Sequence, residues 1–347
     1  MGTNRRILID HLPQGPLDVG CFRPEEAEAP VPGDGEVSCR TRYLSIDAAN
    51  RAWMQGATYR SALEGGQVMA GAVLAEVIES KDAAFAPGDI VETDYGWQEQ
   101  AAVPASRLEK VEVRGPLSHH LSVLGITGLT AYVGLLDIGR PREGETVVVS
   151  AAAGAVGNVA AQLAKIAGCR VVGVAGAPEK CAWLVDELDL DGAVSYRDPG
   201  FFKALKAACP QGIDVYFDNT GGDVLGAALF QMNLQGRIVC CGVVSQYDTS
   251  NPGPGPRGVP GLLVTKRLRM EGFIVMDSWE GHPERRAEAT ERLAGWVADG
   301  RLEVVEDVVE GIEAAPGALV DLLAGGNLGK RLVKVADHMA SPAEPSL

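Results

Sequence analysis

Features that this 347-residue sequence lacks exclude several classes of protein. No window approaches the ~18 unbroken apolar residues of a membrane-spanning helix. No apolar segment follows the basic N-terminal residues 1–6, so we expect no secretory signal and a cytoplasmic location. Lysine and arginine form no run and the net charge is −15, so we expect no nucleic-acid partner.

Cysteine and histidine are scarce and lack the spacing of a metal site. The seven cysteines are scattered without a Cys-x-x-Cys pair, and the five histidines do not cluster near them. Zinc sites need several such ligands at short, regular spacings. We therefore predict no metal site, and expect the thiols to be reduced and buried.

The predicted secondary structure changes near residue 125. Before it, short segments alternate apolar and polar residues as half-buried strands do, and predict a small β-barrel, at residues 35–46, 70–80, 86–93 and 96–103. After it, amphipathic helical stretches separate six apolar strands, at residues 146–151, 170–176, 192–196, 213–219, 236–244 and 270–275. Strand–helix alternation predicts right-handed crossovers and a parallel, doubly wound α/β sheet.

The C-terminal third contains a long loop and a returning tail. Residues 250–260 are rich in proline and glycine, and predict an irregular loop that acts as a lid. A helix is expected over residues 283–299. The strand–helix–strand pattern after it, residues 300–335, is expected to pack against the first domain, and residues 341–347 are expected to fray.

A glycine-rich turn within residues 147–165 is the main candidate for ligand binding. Ala152, Gly154 and Gly157 have the spacing of Gly-x-Gly-x-x-Gly, with alanine in the first position, between a predicted strand and a predicted helix. Glycines there let the backbone approach a pyrophosphate, whose charge meets the N-terminus of the helix. A tight turn without a ligand is the alternative, and the six-strand context favours a dinucleotide.

The end of the second strand indicates which dinucleotide binds. Sites that prefer NAD place Asp or Glu about 20 residues beyond the glycines to bind the ribose hydroxyls. Here the strand ends in Val174, Ala175 and Gly176, so no acid repels a 2′-phosphate. A charge-assisted bond from Lys180 contributes about 1.5–3 kcal/mol toward NADPH, unless Lys180 is a solvated surface lysine.

These residues resemble the medium-chain dehydrogenase/reductase superfamily. The superfamily motifs are FAPGD (85–89), GLTAYVGL (128–135) and AAAGAVG (151–157). One zinc-independent branch, which contains prostaglandin/leukotriene reductases, plant alkenal double-bond reductases and bacterial curcumin-reductase-like enzymes, is similar at YLSID (43–47), GAPEKCAWL (176–184), GIDVYFDNTGG (212–222), KRLRMEGFIV (266–275) and NLGKRLVKV (327–335). The similarity runs along nearly the whole chain.

The resemblance implies two domains and a pair of subunits. The first is a GroES-like β-barrel catalytic domain, residues 1–122 completed by residues 305–347. The second is a Rossmann NADPH-binding domain with a parallel six-stranded sheet, residues 123–304. Members of the family are commonly homodimers, so we expect a homodimer.

The barrel lacks the zinc signature of the related alcohol dehydrogenases. Those enzymes carry Gly-His-Glu-x-x-Gly, whereas this chain has Gln67 and Val68 at the positions of the ligand histidine and its neighbouring acid. Without a Lewis acid, carbonyl reduction loses its main electrophile. Hydride addition to a conjugated C=C needs only a hydrogen-bond donor at the enolate oxygen. We therefore predict zinc-independent reduction of the α,β C=C bond of enals and enones.

The resemblance also assigns cofactor-binding residues. The backbone of Gly154, Ala155, Val156 and Gly157 would hold the pyrophosphate. Lys180 and Tyr196 would bind the 2′-phosphate. Asn219 would contact the cofactor at the carboxyl edge of the sheet, and Asn327 the nicotinamide end. The residues expected around the nicotinamide half are Cys241, Gly242, Val243, Ser245, Tyr247, Phe273, Ile274 and Val275.

Tyr247 is the predicted catalytic residue. It follows a strand end at the crevice and precedes the long loop. A tyrosine with a pKa near 10 is protonated at neutral pH, so it can donate to a developing enolate oxygen, which typically accelerates a reaction by about 10²–10⁴. The alternative is that Tyr247 contacts the cofactor ribose and that water supplies the proton.

The substrate is expected to be a small α,β-unsaturated carbonyl compound. Family members often carry Arg-Gly or Met-Arg-Gly after the first strands, whereas residues 48–56 read AANRAWMQG. Nearby barrel side chains are candidates for an aromatic substrate wall, with core packing as the alternative, namely Trp53, Met54, Tyr59, Tyr95 and Trp97. Two other functions remain open, an NADPH:quinone oxidoreductase and an NADPH-binding protein without turnover.

Overall fold

A computed structural model describes residues 2–249, 251 and 253–335 of the chain. The tail expected to fray, residues 341–347, lies outside these ranges, as do Ser250 and Pro252 of the predicted lid. None of the helices within the described ranges is long and apolar enough to cross a membrane.

The N-terminal part of the chain consists of short antiparallel strands around an apolar core. Ile7, Ile9 and Leu44 lie inside, where they pack with Met69 and Trp97. The predicted strands are confirmed, and one helix that the sequence did not indicate follows the third strand. The elements are β1 (Thr3–Ile9), β2 (Phe22–Glu28), β3 (Glu36–Ser45), α1 (Ala48–Gln55), β4 (Val73–Ser80), β5 (Ile90–Thr93), β6 (Gln100–Pro104) and β7 (Glu109–Lys110).

The middle of the chain alternates strands and helices. Its elements are α2 (Ile126–Tyr132), β8 (Thr146–Ser150), α3 (Ala155–Ile166), β9 (Arg170–Ala175), α4 (Pro178–Asp186), β10 (Gly192–Ser195), α5 (Phe201–Ala208), β11 (Ile213–Asp218), α6 (Gly222–Gln231), β12 (Met232–Cys240), α7 (Val259–Lys266), β13 (Arg269–Gly272) and α8 (Pro283–Ala298). The six strands are parallel in the order β10-β9-β8-β11-β12-β13. This confirms the predicted doubly wound sheet, whose strand order reverses between β8 and β11 and leaves a crevice at their carboxyl ends.

Several boundaries differ from the sequence prediction. β12 ends at Cys240, four residues before the predicted end, because the N–H groups of Cys241 and Gly242 both donate to the Asp218 carbonyl, at 2.8 and 3.1 Å. These bonds turn the chain out of the sheet at the crevice. α7 begins at Val259, so the irregular loop is shorter than the predicted 250–260.

The C-terminal part returns to the first sheet, as predicted. It contains β14 (Glu306–Glu310), α9 (Ala315–Ala324) and β15 (Lys330–Lys334). β15 pairs antiparallel with β3 and parallel with β14, which completes a seven-stranded sheet. The buried Lys330 fixes this return, because its Nζ donates to the Ile46 carbonyl at 3.0 Å and pairs with Asp47 at 2.5 Å.

Candidate active site

The predicted glycine turn connects β8 to α3 at the crevice. Ala151 adopts a left-handed conformation with φ of 48° and reverses the chain. A Cβ atom at Gly157 would lie 2.1 Å from the Ala151 carbonyl oxygen, a distance that no side chain tolerates. Glycine at this position therefore allows α3 to begin directly against the turn.

The start of α3 is suited to an anion. Its N-cap residue Gly154 has no side chain, and no side-chain hydrogen bond caps the helix. The first N–H groups of a helix lack partners within it, so those of Ala155, Val156 and Gly157 remain available. With the helix dipole they form a site that fits a pyrophosphate.

The returning tail lies beside this turn. Gly329 N donates to the Ala153 carbonyl at 2.9 Å, and Gly154 and Gly329 form an isolated parallel bridge. The buried Asn327 is held by its own turn, since its Nδ2 donates to the Gly329 carbonyl at 2.8 Å. The tail thus forms a wall beside the glycine turn and the start of α3.

Three polar side chains meet at the carboxyl ends of β9 and β10. The Lys180 ammonium, on α4, donates to the Asn327 carbonyl. Tyr196 lies over Gly176, where a Cβ would approach its hydroxyl to 3.0 Å, and the Arg197 guanidinium is 5.8 Å from the Tyr196 ring centroid. Partial burial lowers the pKa of Lys180, and the neighbouring Asp321 carboxylate offsets part of this change. The group fits a 2′-phosphate.

A buried carboxylate organises the centre of the crevice. Asp218 accepts hydrogen bonds from the Tyr216 hydroxyl at 2.9 Å, the Gly221 N–H at 2.9 Å and the Thr220 N–H at 3.0 Å. Ser150 of β8 donates to the same carboxylate at 3.2 Å. This network ties the ends of β8 and β11 together.

Asn219 continues that network toward the nucleotide site. Its Nδ2 donates to the Ser150 carbonyl at 2.7 Å, and its own carbonyl accepts from Val244 N at 3.1 Å. Asn219 therefore connects the end of β11 to the end of β8 and also anchors the segment that leads to Tyr247. Ser245, on the same segment, donates from its N–H to the Thr220 carbonyl at 3.1 Å and is exposed.

Tyr247 is half-buried in this segment. Burial raises the pKa of Tyr247 above its ordinary value near 10, and the backbone N–H of Val243 offsets part of the increase. The Cys241 thiol beside it is also kept neutral, because burial raises its pKa to about 12. The hydroxyl of Tyr247 is therefore protonated throughout the physiological range and can act as a donor.

The remaining residues predicted to contact the nicotinamide differ in how far they are buried. Phe273 and Ile274 are half-buried, and Phe273 packs so closely on Gly134 that a Cβ there would lie 2.7 Å from its ring. Val275 is 6% exposed and belongs to the apolar core. Gly242 lies against the carbonyl of Asn219, because a Cβ atom added at Gly242 would lie 3.2 Å from that carbonyl oxygen.

Core packing, the alternative to an aromatic substrate wall, accounts for most of the five barrel candidates. Trp97 is fully buried and stacks on Phe22 at 5.4 Å, and the Tyr95 hydroxyl is hydrogen-bonded to Thr41 Oγ1 at 2.6 Å. Trp53 and Met54 are also core residues. Tyr59 alone of the five is exposed. It lies edge-on to Trp53, and Tyr247 is among the groups close enough to affect its electrostatics.

Sequence reasoning missed two residues of the site. Arg197 adds a second cation beside Lys180, and the only sequence signal for it is its position directly after Tyr196. Asp218 is the other residue; it lies within the motif GIDVYFDNTGG (212–222), which does not itself indicate its role. An acid at the carboxyl end of a buried strand, followed by Asn-Thr-Gly-Gly, is the signal that points to its turn-organising bonds.

The geometry defines a dinucleotide-binding oxidoreductase fold, and comparisons with known proteins agree. Residues 5–111 match a family described as the N-terminal domain of oxidoreductase, and residues 155–295 one described as zinc-binding dehydrogenase. The second description mentions zinc, whereas at the spacing of the zinc signature this chain has Gln67 in place of the ligand histidine and Val68 in place of its neighbouring acid. No three His, Cys, Asp or Glu side chains form a metal-binding group among residues 2–249, 251 and 253–335.

Individual relatives cover almost the entire chain. The NADPH-dependent curcumin reductase of Escherichia coli is 40% identical over 96% of this chain and 97% of its own. Mouse prostaglandin reductase 1 is 43% identical over 94% and 97%, and the tobacco NADP-dependent 2-alkenal reductase 40% over 88% of each. The crystal structure of Vibrio vulnificus CurA in complex with NADPH superposes with a TM-score of 0.90 at 36% identity, over 96% of this chain and 100% of that one. The chain belongs to the zinc-independent reductase branch of the medium-chain dehydrogenase/reductase superfamily.

Proposed function

We propose that the chain is an NADPH-dependent, zinc-independent reductase of the α,β C=C bond of enals and enones. The observation that carries the proposal is the uncapped start of α3 on the same sheet edge as a half-buried, protonated Tyr247. The relatives named for 2-alkenal, curcumin and prostaglandin reduction support this reaction class. The substrate is accordingly a small α,β-unsaturated carbonyl compound.

Two domains enclose the proposed cleft. We propose that the barrel domain is bounded by residues 1–122 and 305–347, of which residues 2–122 and 305–335 are described, and the NADPH-binding domain by residues 123–304. The pairing of β15 with β3 supports this division, since it joins the C-terminal tail to the first sheet. The substrate then lies between Tyr247 of one domain and Tyr59 of the other.

The residues of the nucleotide site bind and orient NADPH. The N–H groups at the start of α3 bind the pyrophosphate, and Lys180, Tyr196 and Arg197 hold the 2′-phosphate. Asn219, Asn327, Phe273, Ile274 and the segment from Cys241 to Tyr247 surround the nicotinamide half. When bound, NADPH supplies the hydride that adds to the β-carbon of the conjugated bond.

Tyr247 stabilises the charge that this addition creates. Its hydroxyl donates a hydrogen bond to the carbonyl oxygen of the substrate, on which the enolate charge develops. The α-carbon then takes a proton, either from Tyr247, which regains one from water, or from water directly. Positioning of the enone in the cleft would contribute most of the remaining rate enhancement.

NADPH consumption with a panel of enals, enones and quinones tests the reaction. We expect loss of the C=C bond with the carbonyl retained, measured by product analysis. Tyr247→Phe should lower kcat by about 10²–10⁴ with NADPH affinity unchanged. Tyr43→Phe is the matched control, because Tyr43 packs against an apolar cluster that contains none of the predicted site residues.

The pH profile separates the two roles open to Tyr247. Because its pKa is raised, kcat at saturating NADPH should fall only above pH 10, as the hydroxyl loses its proton. That alkaline limb should disappear in Tyr247→Phe. Enone turnover unchanged by the substitution would remove the donor role, and consumption of NADPH with quinones alone would replace the proposed reaction.

We also propose that the enzyme is a homodimer joined through β13. This strand ends the six-stranded sheet, with no further strand paired to it in the described part of the chain. An edge strand presents unpaired N–H and C=O groups that a second copy can bind. Light scattering should give twice the chain mass of 36.4 kDa, and Glu271→Pro should halve it. A monomer before substitution contradicts the proposal.

We propose a cytoplasmic location, because the cysteine thiols are free. All seven cysteines are free, and burial raises the pKa of five of them to about 11 or 12, namely Cys39, Cys169, Cys209, Cys240 and Cys241. Such thiols are typical of a reducing compartment. Recovery in the cytosolic fraction after cell fractionation is the expected result, and recovery in a secreted fraction would contradict it.

A further inference from the structure

The residue after Tyr247 is held by the barrel domain. Asp248 Oδ1 accepts from the backbone N–H of Leu17 at 2.5 Å and from Arg51 Nε at 2.9 Å. Asp248 has a φ of 58°, in the left-handed region that Asp and Asn tolerate better than other side chains. Its carboxylate and its backbone conformation are therefore both constrained.

Arg51 is a rigid partner for that carboxylate. Its side chain is 3% exposed, and its Nη2 donates to the Gly15 carbonyl at 3.0 Å. The start of α1, which carries Arg51, is fixed by Asn50, whose Oδ1 accepts from Asp47 N at 2.7 Å and whose Nδ2 donates to the Ala70 carbonyl at 3.0 Å. A buried guanidinium on an anchored helix has little freedom to move.

The same helix contacts the chain on both sides of Tyr247. Gln55 Nε2, at the end of α1, donates to the carbonyls of Gln246 and Thr249, at 3.4 and 3.1 Å. The beginning of this segment is attached to its own domain, through Val244 N and the Asn219 carbonyl. Tyr247 thus lies between one anchor from the nucleotide domain and one from the barrel.

We propose that the hydrogen-bonded contact between Arg51 and Asp248 is the positioning device that aligns Tyr247 with the substrate across the two domains. The inference rests on the proposed role of Tyr247. Arg51 and Asp248 are positioning residues, because they act through the placement of the tyrosine. A misplacement of about 1 Å in a catalytic group can lower the rate about 10²-fold. We therefore expect loss of this contact to lower kcat and to leave the Kd for NADPH almost unchanged.

Substitutions at Asp248 provide the first test. Asp248→Ala removes both hydrogen bonds and disfavours the left-handed backbone, so kcat should fall about 10–100-fold while the Kd for NADPH changes less than about 2-fold. Asp248→Asn keeps an acceptor oxygen and tolerates the conformation, so it should retain kcat within about 5-fold. An equal loss in both variants, or a loss confined to NADPH binding, would overturn the proposal.

The matched control is a second aspartate with the same pattern of bonds. Asp89 pairs with Lys110 at 2.7 Å and accepts from the Ala86 N–H at 2.9 Å, on the barrel surface. Asp89→Ala should leave kcat unchanged. A comparable loss of kcat in this control would show that disturbing the barrel, rather than Tyr247, causes the effect.

A double-mutant cycle separates this inference from the proposed function. In the Tyr247→Phe background, Asp248→Ala should lower kcat by less than about 3-fold, because residues that act as a unit are not additive. Losses that multiply would overturn the positioning role while leaving Tyr247 as the donor. No loss in Tyr247→Phe alone would refute the donor role and this inference together.

Arg51→Lys, which lacks the planar fork, should resemble Asp248→Ala in kcat.

Discussion

Cofactor preference depends on a few side chains at the ends of β9 and β10. Lys180 provides a half-buried cation whose position is fixed by the Asn327 carbonyl, and Arg197 adds an exposed one beside Tyr196. A phosphate between them gains charge-assisted bonds that a free hydroxyl does not. NADPH and NADH should therefore differ strongly in their dependence on Lys180.

Lys180→Ala should raise the KM for NADPH about 10–100-fold, since one charge-assisted bond contributes about 1.5–3 kcal/mol. The KM for NADH should change little, and Arg197→Ala should show the same selectivity with a smaller effect. Steady-state kinetics with both cofactors measures this. Lys165→Ala, on α3 beside Asp191 at 3.2 Å, is the control. An equal weakening of both cofactors would show that Lys180 does not bind the 2′-phosphate.

The elements around the pyrophosphate site depend on close backbone approach. α3 starts one residue after Gly154, and its first turn passes within van der Waals distance of the β8–α3 turn. A side chain at Gly157 has no space, whereas at Gly295 of α8 no atom lies within 4 Å of an added Cβ. We therefore expect alanine substitutions at the two glycines to have opposite effects on stability.

Gly157→Ala should shift the start of α3 and weaken NADPH binding by more than 10-fold, with a lowered Tm. Gly295→Ala should stabilise the protein by about 0.4–1 kcal/mol without affecting NADPH, because alanine restricts the unfolded chain and suits a helix. Calorimetric titration and thermal unfolding measure both effects. NADPH affinity unchanged in Gly157→Ala would refute the pyrophosphate assignment.

The two domains are joined by an ionic contact away from Tyr247. Arg286 of α8 donates to Glu92 of β5 at 3.0 Å and pairs with Glu109 of β7. Burial raises the pKa of Glu92, and the Arg286 charge offsets part of this increase. Glu92 is 19% exposed, so its charge depends on the arginine for stabilisation.

Arg286→Met should lower the free energy of unfolding by about 1–3 kcal/mol at neutral pH. Loss of the counter-charge raises the pKa of Glu92 further, so the folded state binds more protons than the unfolded state. The deficit should therefore grow as the pH rises from about 4.3, the ordinary glutamate value, toward neutrality.

Denaturant unfolding between pH 4.5 and 8 measures this dependence. Arg114→Met is the control, because Arg114 also joins the domains, through Glu291, but in a more exposed pair that contributes about 0–1 kcal/mol. A deficit that does not vary with pH would show that Glu92 is not the group left without a partner.

Much of the nucleotide domain could be predicted from the sequence because its signals are local. All five residues of β8 are buried, and the sequence TVVVS already identifies a strand covered on both faces. Gly154 and Gly157 follow it directly, so strand, turn and helix start are adjacent in the chain. The end of β12 could not be predicted, since it is set by bonds to Asp218, more than 20 residues earlier.

By itself, the sequence determined the parallel six-stranded sheet, the glycine turn and the missing acid after β9, because burial periodicity and backbone freedom act over a few neighbouring residues. The tertiary structure alone decided which aromatic residues of the barrel reach the cleft and that Arg51 pairs with Asp248. Such contacts join residues almost 200 positions apart. They depend on how the two sheets pack, and no short-range pattern encodes that packing.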